Sequence, residues 1–483
     1  MEGPPRPVPG LPACEVRADE PQKPSRQHQD RSDEDQHPPY IIVLSPGNVS
    51  GMKVLLVGEG GREDALAWAL SRSPEVSVLR AAPGSDGIAR RAQRVPIAST
   101  DLDALVSHAS SERYDLVVVG PEAPLVAGLA DRLRERRIPV FGPSTGAAEI
   151  ESSKAFAKEF MARHRIPTAE FRVFSDQGQA ARYLDSPEVD YPVVVKADGL
   201  AAGKGVVIAA DRDAAKQAAA QMLSGRAFGA AGARIVVETL LRGREVSFFV
   251  LSDGETFVDL APCQDYKRAE DGDLGPNTGG MGAYSPSAYL DEETRRTILL
   301  TVIAPTLEGL SSEDRPYRGA LYAGVMLTDA GPRILEFNAR FGDPETQVLL
   351  PRLDGDWLPL LHACATGGLG RATPRWKTDA AVCVVLASKG YPGTSLKGLP
   401  IQGLEEAEAL PGVLVFHAGT ETDGSGGFRT RGGRVLGVTG LGETLIEARE
   451  RAYHATERIR WEGKRARSDI AWDAVKQRRG GTR

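Results

Sequence analysis

This sequence lacks the residue patterns of several protein classes. Its four cysteines are widely spread and include no C-x-x-C pair, so they give no sign of a disulfide framework. Positive charge is not in excess: the formal net charge is −6, which gives no reason to expect a nucleic-acid partner. No apolar run approaches the length of a membrane span, so we expect no membrane association. Scattered cysteines are typical of a reducing compartment, and we expect a cytoplasmic location.

Residues 1–51 lack the patterned apolar residues of a folded domain. They are rich in Pro, Asp, Glu, Gln and Arg, and contain one apolar island at 40–44. They have no apolar core near the start to form a signal peptide, and their acidic residues disfavour an organellar transit peptide. We expect a disordered extension that the folded protein does not use, with a regulatory tail as the alternative.

The rest of the chain has the alternating strand and helix patterns of an α/β protein. The 483 residues suffice for three or more domains. We expect an N-terminal doubly wound domain over 52–151, a two-lobed domain over 152–379 and a C-terminal α+β domain over 380–483. The predicted strands of the first domain cover 53–57, 76–80, 115–119 and 139–141, and its first helix covers 64–71.

A glycine turn, G-E-G-G-R-E at 58–63, follows the first strand and opens the first helix. A dinucleotide fingerprint needs a third small residue where Glu63 stands, and an acid at the end of the second strand, which instead ends in Arg80. A glycine turn before a helix still exposes backbone N–H groups that favour a phosphate. We therefore expect a phosphorylated small substrate rather than NAD.

A glycine-rich loop joins two predicted strands within residues 191–208. It is not a Walker A motif, because a strand rather than a helix follows it. Lys196 lies in an otherwise apolar strand, where an unpaired charge is unfavourable, and Lys204 lies in the loop. This pattern predicts a loop that folds over phosphates, with lysines supplying positive charge. An ordinary hairpin with surface lysines is the alternative.

Two further stretches carry acidic residues at places suited to a nucleotide. An apolar linker flanked by Glu238 and Glu245 is a reasonable adenosine clamp. In the strand that begins at Arg333, a period of two predicts that Glu336, Asn338 and Arg340 share one face while Leu335 and Phe337 point the other way. Carboxylate and amide oxygens together suit a hard cation such as Mg²⁺.

Five motifs, in this order, resemble those of one enzyme family. They are G-E-G-G-R-E at 58–63, G-P-E-A-P-L at 120–125, K-A-D-G-L-A-A-G-K-G at 196–205, G-P-N-T-G-G-M-G-A-Y-S-P at 275–286 and E-F-N-A-R-F-G-D-P-E at 336–345. With the hairpin and the linker, they are similar to the ATP-grasp ligases, and most closely to the phosphoribosylamine–glycine ligase family. The resemblance runs from about Met52 to near the C-terminus.

The resemblance implies an ATP-grasp fold for 152–379 and a reaction of de novo purine synthesis. It implies that ATP phosphorylates the glycine carboxylate and that the amine of 5-phosphoribosylamine attacks the glycyl phosphate, with Mg²⁺ or Mn²⁺. Separately, we expect a monomer. The implied catalytic residues are Arg340, Asn277 and Lys204, and the implied metal ligands are Glu336 and Asn338. The implied ATP-binding residues are Lys154, Lys196, Gly199, Gly203, Gly205, Glu238, Leu240 and Glu245. The implied substrate-binding residues are Gly60, Gly61, Arg62, Glu63, Pro121, Glu122, Gly279 and Gly280.

Two positions depart from the family pattern. Asp64 stands where a histidine is usual, which we expect to place negative charge beside the phosphate site. Tyr266 stands in place of another histidine and is expected to alter a local hydrogen bond. Another ATP-grasp carboxylate–amine ligase and a non-catalytic nucleotide-binding scaffold remain alternatives. For His417, structural packing is the expected role.

Overall fold

A computed structural model describes residues 51–199, 205–225 and 232–480, and the described residues belong to one compact unit. The expected extension at 1–51 lies outside the described residues except for Gly51. No helix within the three described ranges is both long and apolar enough to cross a membrane.

The first part of the chain forms a parallel five-stranded sheet. Its strands are β1 (Met52–Gly58), β2 (Val76–Pro83), β3 (Gln93–Arg94), β4 (Leu116–Val119) and β5 (Val140–Phe141). Its helices are α1 (Gly61–Leu70), α2 (Leu102–Glu112), α3 (Glu122–Val126), α4 (Leu129–Glu135) and α5 (Thr145–Ser152). The sheet order is β3-β2-β1-β4-β5, so the strand order reverses beside β1. This confirms the doubly wound domain, whose ligands are expected at the carboxyl ends of β1 and β4.

A second, antiparallel sheet forms the first lobe of the central region. The elements are α6 (Lys154–Arg163), β6 (Phe171–Phe174), α7 (Gln177–Leu184), β7 (Val193–Ala197), β8 (Val206–Ala209), α8 (Arg212–Leu223) and β9 (Ile235–Thr239). The sheet order is β6-β9-β7-β8. Alanines and other apolar residues of α7 and α8 pack against one face of this sheet.

The second lobe contains a four-stranded antiparallel sheet with the order β11-β10-β16-β17. The elements of this region are β10 (Arg244–Asp253), β11 (Phe257–Asp259), β12 (Gln264–Asp265), β13 (Arg268–Glu270), β14 (Leu274–Asn277), β15 (Gly282–Ser285), α9 (Glu292–Ile298), α10 (Ala304–Ser312), β16 (Arg318–Thr328), β17 (Gly331–Asn338), α11 (Thr346–Leu349) and α12 (Trp357–Thr366). A π-helical segment (Leu299–Ile303) joins α9 to α10. The two antiparallel sheets give this region the two lobes expected for 152–379.

Strand β17 differs from the predicted alternation because of a bulge. Glu336 pairs with Gly324 and Ile334 pairs with Val325, which leaves Leu335 as an extra residue. Ile334 and Phe337 are therefore the buried residues of this strand, rather than Leu335 and Phe337. Arg340 lies beyond the end of β17, so its position is set by the loop and not by the strand period.

The last part of the chain adds a mixed α+β region. Its elements are β18 (Ala380–Ala387), β19 (Pro400–Ile401), α13 (Leu404–Glu408), β20 (Val413–His417), β21 (Thr420–Thr422), β22 (Phe428–Thr430), β23 (Arg434–Gly442), α14 (Leu445–Arg458) and α15 (Trp472–Gly480). Its main sheet has the order β12-β15-β18-β23-β20. Two strands from before residue 380 thus belong to the same sheet as three strands after it.

Candidate active site

The carboxyl end of β17 carries the predicted metal ligands. Glu336 and Asn338 are both partly exposed, and Lys267 Nζ lies 4.0 Å from Glu336 Oε1. Burial opposes ionisation of Glu336, but the nearby cations, Lys267 first and then Lys154, hold the pKa of this carboxyl below its usual value. An ionised carboxylate beside an amide oxygen fits a hard divalent cation that takes its other ligands from phosphates.

A buried ion-pair cluster accounts for the lysine in the apolar strand β7. Lys196 and Lys158 both form ion pairs with Glu238, and all three side chains are almost completely buried. Lys196 Nζ also donates to the carbonyl of Leu335 at 3.4 Å, next to Glu336. The positive charge of Lys196 is therefore held beside the end of β17 that carries the predicted metal ligands. Lys158, on α6, was not predicted; its i+4 spacing from Lys154 on the same helix was the available signal.

The last residues of β9 point alternately to the two faces of the first-lobe sheet. Val237 is 1% exposed, and its side chain packs among the residues facing α7 and α8. Glu238 points the other way, into the lysine cluster rather than to a ribose. Glu245, on β10, forms an ion pair with Lys267. Leu240 stays a predicted contact of the base.

The start of the glycine-rich loop is fixed to helix α6. Lys154 Nζ donates to the carbonyl of Gly199 at 3.1 Å. Asp198 accepts hydrogen bonds from the Ala155 amide at 3.1 Å and from Arg234 Nε at 2.9 Å. The other end of the loop closes where the Ala197 amide donates to the carbonyl of Gly205 at 2.8 Å. Lys204 and Gly203 lie outside the described residues.

Arg340 joins two carboxylates instead of projecting as a free cation. Its Nε donates to Glu122 at 3.2 Å, and its Nη2 lies 3.2 Å from Glu151. Burial lowers the pKa of this guanidinium, but the neighbouring carboxylates, Glu151 first, raise it above its usual value. Glu122 follows Pro121 in the first domain. Arg340 therefore links that domain to the loop that follows β17. Glu151 was not predicted from the sequence.

The glycine turn after β1 is shaped by one glutamate. Glu63 Oε2 accepts from the Gly60 amide at 2.7 Å, and its Oε1 accepts from Arg62 Nε at 2.6 Å. Gly58 has φ 129°, and an added Cβ there would overlap Glu63, so only glycine fits. Arg62 and Glu63 are buried, which makes them supports of the turn, while Gly60 and Gly61 supply the start of helix α1.

Asp64 does not place a free charge at this turn. Its side chain is fully buried; it accepts from Arg91 Nη1 at 2.6 Å and from the backbone amide of His417 at 2.7 Å. The expectation that Asp64 places negative charge beside a phosphate site is therefore wrong, because Arg91 neutralises the charge of Asp64. His417 has a packing role: it is buried, and its Nδ1 lies 2.9 Å from Thr420 Oγ1.

The loop after β14 is held by the last domain. Arg434 donates to the carbonyls of Gly279 at 2.5 Å and of Asp343 at 2.7 Å. Gly280 has φ 109°, and an added Cβ there would overlap Pro344. The Gly279 amide donates to Tyr391 and the Gly280 amide to Thr278, so in this arrangement neither is a free donor for a reaction intermediate. Asn277 precedes them at the end of β14.

Comparison with known proteins assigns all three domains to one family. Residues 52–151 match the phosphoribosylglycinamide synthetase N domain, 152–346 its ATP-grasp (A) domain and 381–473 its C domain.

Characterised relatives match at high identity. The chain is 52% identical over 428 residues to phosphoribosylamine–glycine ligase of Caulobacter vibrioides, covering 88% of this chain and 99% of that protein. The Vibrio cholerae enzyme of the same name is 47% identical over 427 residues, covering 88% of this chain and 99% of that protein.

Solved structures agree with this similarity. The crystal structure of phosphoribosylamine–glycine ligase from Thermotoga maritima aligns with a TM-score of 0.76 and 35% identity, over 87% of this chain and 100% of that one. A biotin carboxylase from Campylobacter jejuni has a TM-score of 0.65 at 15% identity, over 87% of this chain and 94% of that one, and shows the shared fold alone.

Proposed function

The chain belongs to the phosphoribosylglycinamide synthetase family, and we propose that it joins glycine to 5-phosphoribosylamine with ATP. A phosphoryl group passes from ATP to a glycine carboxylate oxygen, which leaves ADP. The amine nitrogen then attacks the glycyl carbonyl carbon, and the bond from that carbon to the phosphate oxygen breaks. Glycinamide ribonucleotide and phosphate are released. No protein nucleophile is needed, because the activated intermediate is carried on the substrate.

The observation that carries this proposal is the meeting of cations from both lobes at the end of β17. Lys196 of the first lobe contacts the carbonyl of Leu335, and Lys267 of the second lobe lies 4.0 Å from Glu336. Lys154 adds charge beside the glycine-rich loop. Positive groups converging on one carboxylate support a site for the ATP phosphates, where preorganised charges stabilise the charge that develops during phosphoryl transfer.

We propose Glu336 and Asn338 as the protein ligands of a divalent cation. The cation is Mg²⁺ or Mn²⁺, because both ligands are oxygens, which suit either ion. Across the described ranges, no group of three or more His, Cys, Asp or Glu side chains is arranged to hold a metal by itself. A cation bound here, with ATP phosphates as further ligands, would neutralise charge on those phosphates.

Substrate contacts follow from the position of the N-terminal domain. We propose that the turn at Gly60 and Gly61, at the start of α1, receives the phosphate of phosphoribosylamine through the Gly61 amide, since the Gly60 amide already donates to Glu63, and that Pro121 and Glu122 flank its ribose. Arg340 holds Glu122 in place and orients this loop relative to β17. Asn277 is proposed to contact the glycyl phosphate, while Gly279 and Gly280 shape the loop. Lys204 stays a proposed phosphate ligand.

The test is ADP release measured with each substrate omitted in turn. Full turnover requires ATP, glycine, 5-phosphoribosylamine and Mg²⁺ together, and the ribonucleotide product is identified by mass. ADP release that continues without phosphoribosylamine, with another amine substituting, would indicate a different carboxylate–amine ligase. ATP binding without turnover would indicate a scaffold. Replacing Mg²⁺ by Mn²⁺ in the same assay determines the metal preference, and sedimentation tests the predicted monomer.

A cytoplasmic location is also proposed. The support comes from Cys263, Cys364 and Cys383, which are buried and form no disulfide. Fractionation of cells that express the full chain tests it.

A further inference from the structure

One aspartate of the C-terminal helix α15 forms hydrogen bonds with residues of the ATP-grasp region. Asp473, in the first turn of α15, accepts hydrogen bonds from the hydroxyls of Tyr266 at 2.5 Å and Tyr289 at 2.8 Å, and from Arg244 Nη1 at 2.9 Å. All three donors belong to the region between β10 and α9, more than 180 residues earlier in the chain. Asp473 thus ties the last helix to several elements of the second lobe.

Two of the three donors directly precede residues of the candidate site. Arg244 is followed by Glu245 and Tyr266 by Lys267, and Glu245 and Lys267 form an ion pair. Neighbouring side chains of an extended chain point to opposite sides. Because Arg244 and Tyr266 point toward Asp473, the residues that follow them point toward the site. Lys267 in turn lies 4.0 Å from Glu336. Asp473 therefore fixes the Glu245–Lys267 pair by holding the residue that precedes each member of the pair.

Tyr266 is held on several sides by the same C-terminal segment. The Ala471 amide donates to its hydroxyl at 2.9 Å, and the guanidinium of Arg467 lies 4.8 Å from its ring centre. Arg467 is 1% exposed at its side chain and also bonds Asp469. Such a buried network has few alternative arrangements, because each member would lose a partner if one moved.

The hydroxyls remain donors at neutral pH. Burial, with the negative charge of Asp473 next, raises the pKa of Tyr266 well above its usual value. Burial and the hydrogen bond to Asp473 raise the pKa of Tyr289 to about 12.

We propose that Asp473 and Tyr266 form a latch by which the C-terminal domain positions the Glu245–Lys267 pair for ATP. Both are positioning residues, since neither faces the site. The inference rests on the proposed ATP-dependent function for the role of Glu245 and Lys267. A tyrosine at position 266 gives the latch a neutral donor that reaches the carboxylate of Asp473 directly.

The experiment compares Tyr266→Phe and Asp473→Asn with wild type in the full-length protein. The KM for ATP and the Kd of a non-hydrolysable ATP analogue are expected to rise about tenfold, since a slightly misplaced binding pair loses much of its interaction energy. The KM for glycine is expected to stay within about twofold, because the loop at 277–281 is held by the backbone carbonyls of Tyr266 and Lys267, which the side-chain substitutions leave in place. This split between substrates is not expected from a merely structural loss.

Tyr289→Phe is the matched control. It removes a hydroxyl from the same Asp473, but Tyr289 does not precede a residue of the site, so the analogue Kd should stay near that of wild type. Arg244→Gln is a second test variant, at a half-exposed residue, and gives a result if Tyr266→Phe fails to fold. It should also raise the Kd of the ATP analogue. Tyr266→Phe combined with Glu245→Gln should weaken binding by less than the product of the single effects, because both act through one pair.

Equal analogue affinity in Tyr266→Phe, Arg244→Gln and Tyr289→Phe would overturn the latch. A purely multiplicative double variant would also overturn it. Failure of the proposed function looks different: the wild-type protein itself would then release no ADP dependent on glycine and phosphoribosylamine, whatever the variants bind.

Discussion

Arg340 donates from Nε to Glu122 at 3.2 Å, across the junction between the N-terminal domain and the end of the ATP-grasp sheet. The same guanidinium reaches Glu151 at 3.2 Å, and Glu151 Oε2 accepts from the Ala339 amide at 2.6 Å. One arginine thus holds two carboxylates that would otherwise repel each other at the centre of the molecule. Its planar fork suits this task better than the compact ammonium of a lysine.

Replacing Arg340 by methionine is expected to lower the free energy of unfolding by about 3 kcal/mol, because two carboxylates lose their cation and Glu151 is buried. Urea unfolding followed by tryptophan fluorescence measures this. Arg296→Met, at an exposed position of α9, is the control and should change the value by less than about 0.5 kcal/mol. Equal stability of both variants would show that Arg340 does not hold the junction.

Glu336→Gln is expected to lower turnover about 100-fold or more, by removing the charge of a proposed metal ligand while keeping its shape. Stability should change little, because 40% of the side chain is exposed. Steady-state turnover is measured at saturating ATP over a range of Mg²⁺ concentrations. Glu308→Gln, at an exposed position of α10, should behave as wild type. Near-normal turnover of Glu336→Gln at high Mg²⁺ would refute the metal assignment.

Asp64→His is expected to destabilise the protein by about 3 kcal/mol, since it removes the partner of Arg91 and places an imidazole in a fully buried position. The KM for phosphoribosylamine of the folded fraction should not change, because Asp64 does not face the glycine turn. Thermal unfolding and substrate kinetics measure the two effects. Glu59→His, half-exposed in the same turn, should leave stability nearly unchanged. A lower KM in Asp64→His would mean that Asp64 does act on the phosphate.

The stability of the protein is expected to fall with acid partly through His417. Burial, with the charges of Arg90 and Arg91 next, lowers the pKa of His417 to about 3. The unfolded chain, with a histidine pKa of about 6.5, binds a proton between these values that the folded chain does not. Stability is therefore complete above pH 6.5 and is lost toward pH 3, by about 1.4 kcal/mol per pH unit from this residue.

His417→Gln tests this by urea unfolding at several pH values. The variant should be less stable than wild type at pH 7.5, where the imidazole is neutral in both states, but its stability should fall less steeply between pH 6.5 and 4. Parallel pH profiles of the two proteins would contradict the buried neutral imidazole.

The sequence predicted the strands of the first sheet well because its central strands, β1 and β4, are buried on both faces along most of their length. The predicted strand at 53–57 falls within one residue of β1 at each end, and those at 115–119 and 139–141 begin one residue before β4 and β5 and end with them. Helix α1 begins at Gly61, three residues before the predicted start, because the glycine turn itself forms the first helical turn. Local periodicity does not carry that information.

The site was predicted in part, and the gaps have physical causes. The sequence predicted Lys196, Glu238 and Glu336 as site residues. It did not predict Lys158, the second ion-pair partner of Glu238, because Lys158 lies on a separate helix and the spacing of residues in the strand gives no sign of it. The bulge at Leu335 shifted the buried face of β17, and a bulge changes the period without a signal in residue type. Pairings between distant parts of the chain, such as Arg340 with Glu151, require the fold itself.

The sheet that joins β12 and β15 to β18, β23 and β20 bears on how the molecule unfolds. Backbone hydrogen bonds between β15 and β18 run from Ser285 paired with Ala381 to Gly282 paired with Val384. Separating the chain near residue 380 would expose unpaired strand edges on both pieces, and such edges favour aggregation. The two pieces should therefore fail to fold alone and recover structure only when mixed. The boundary that divides the family's domains in sequence thus runs through a single hydrogen-bonded sheet.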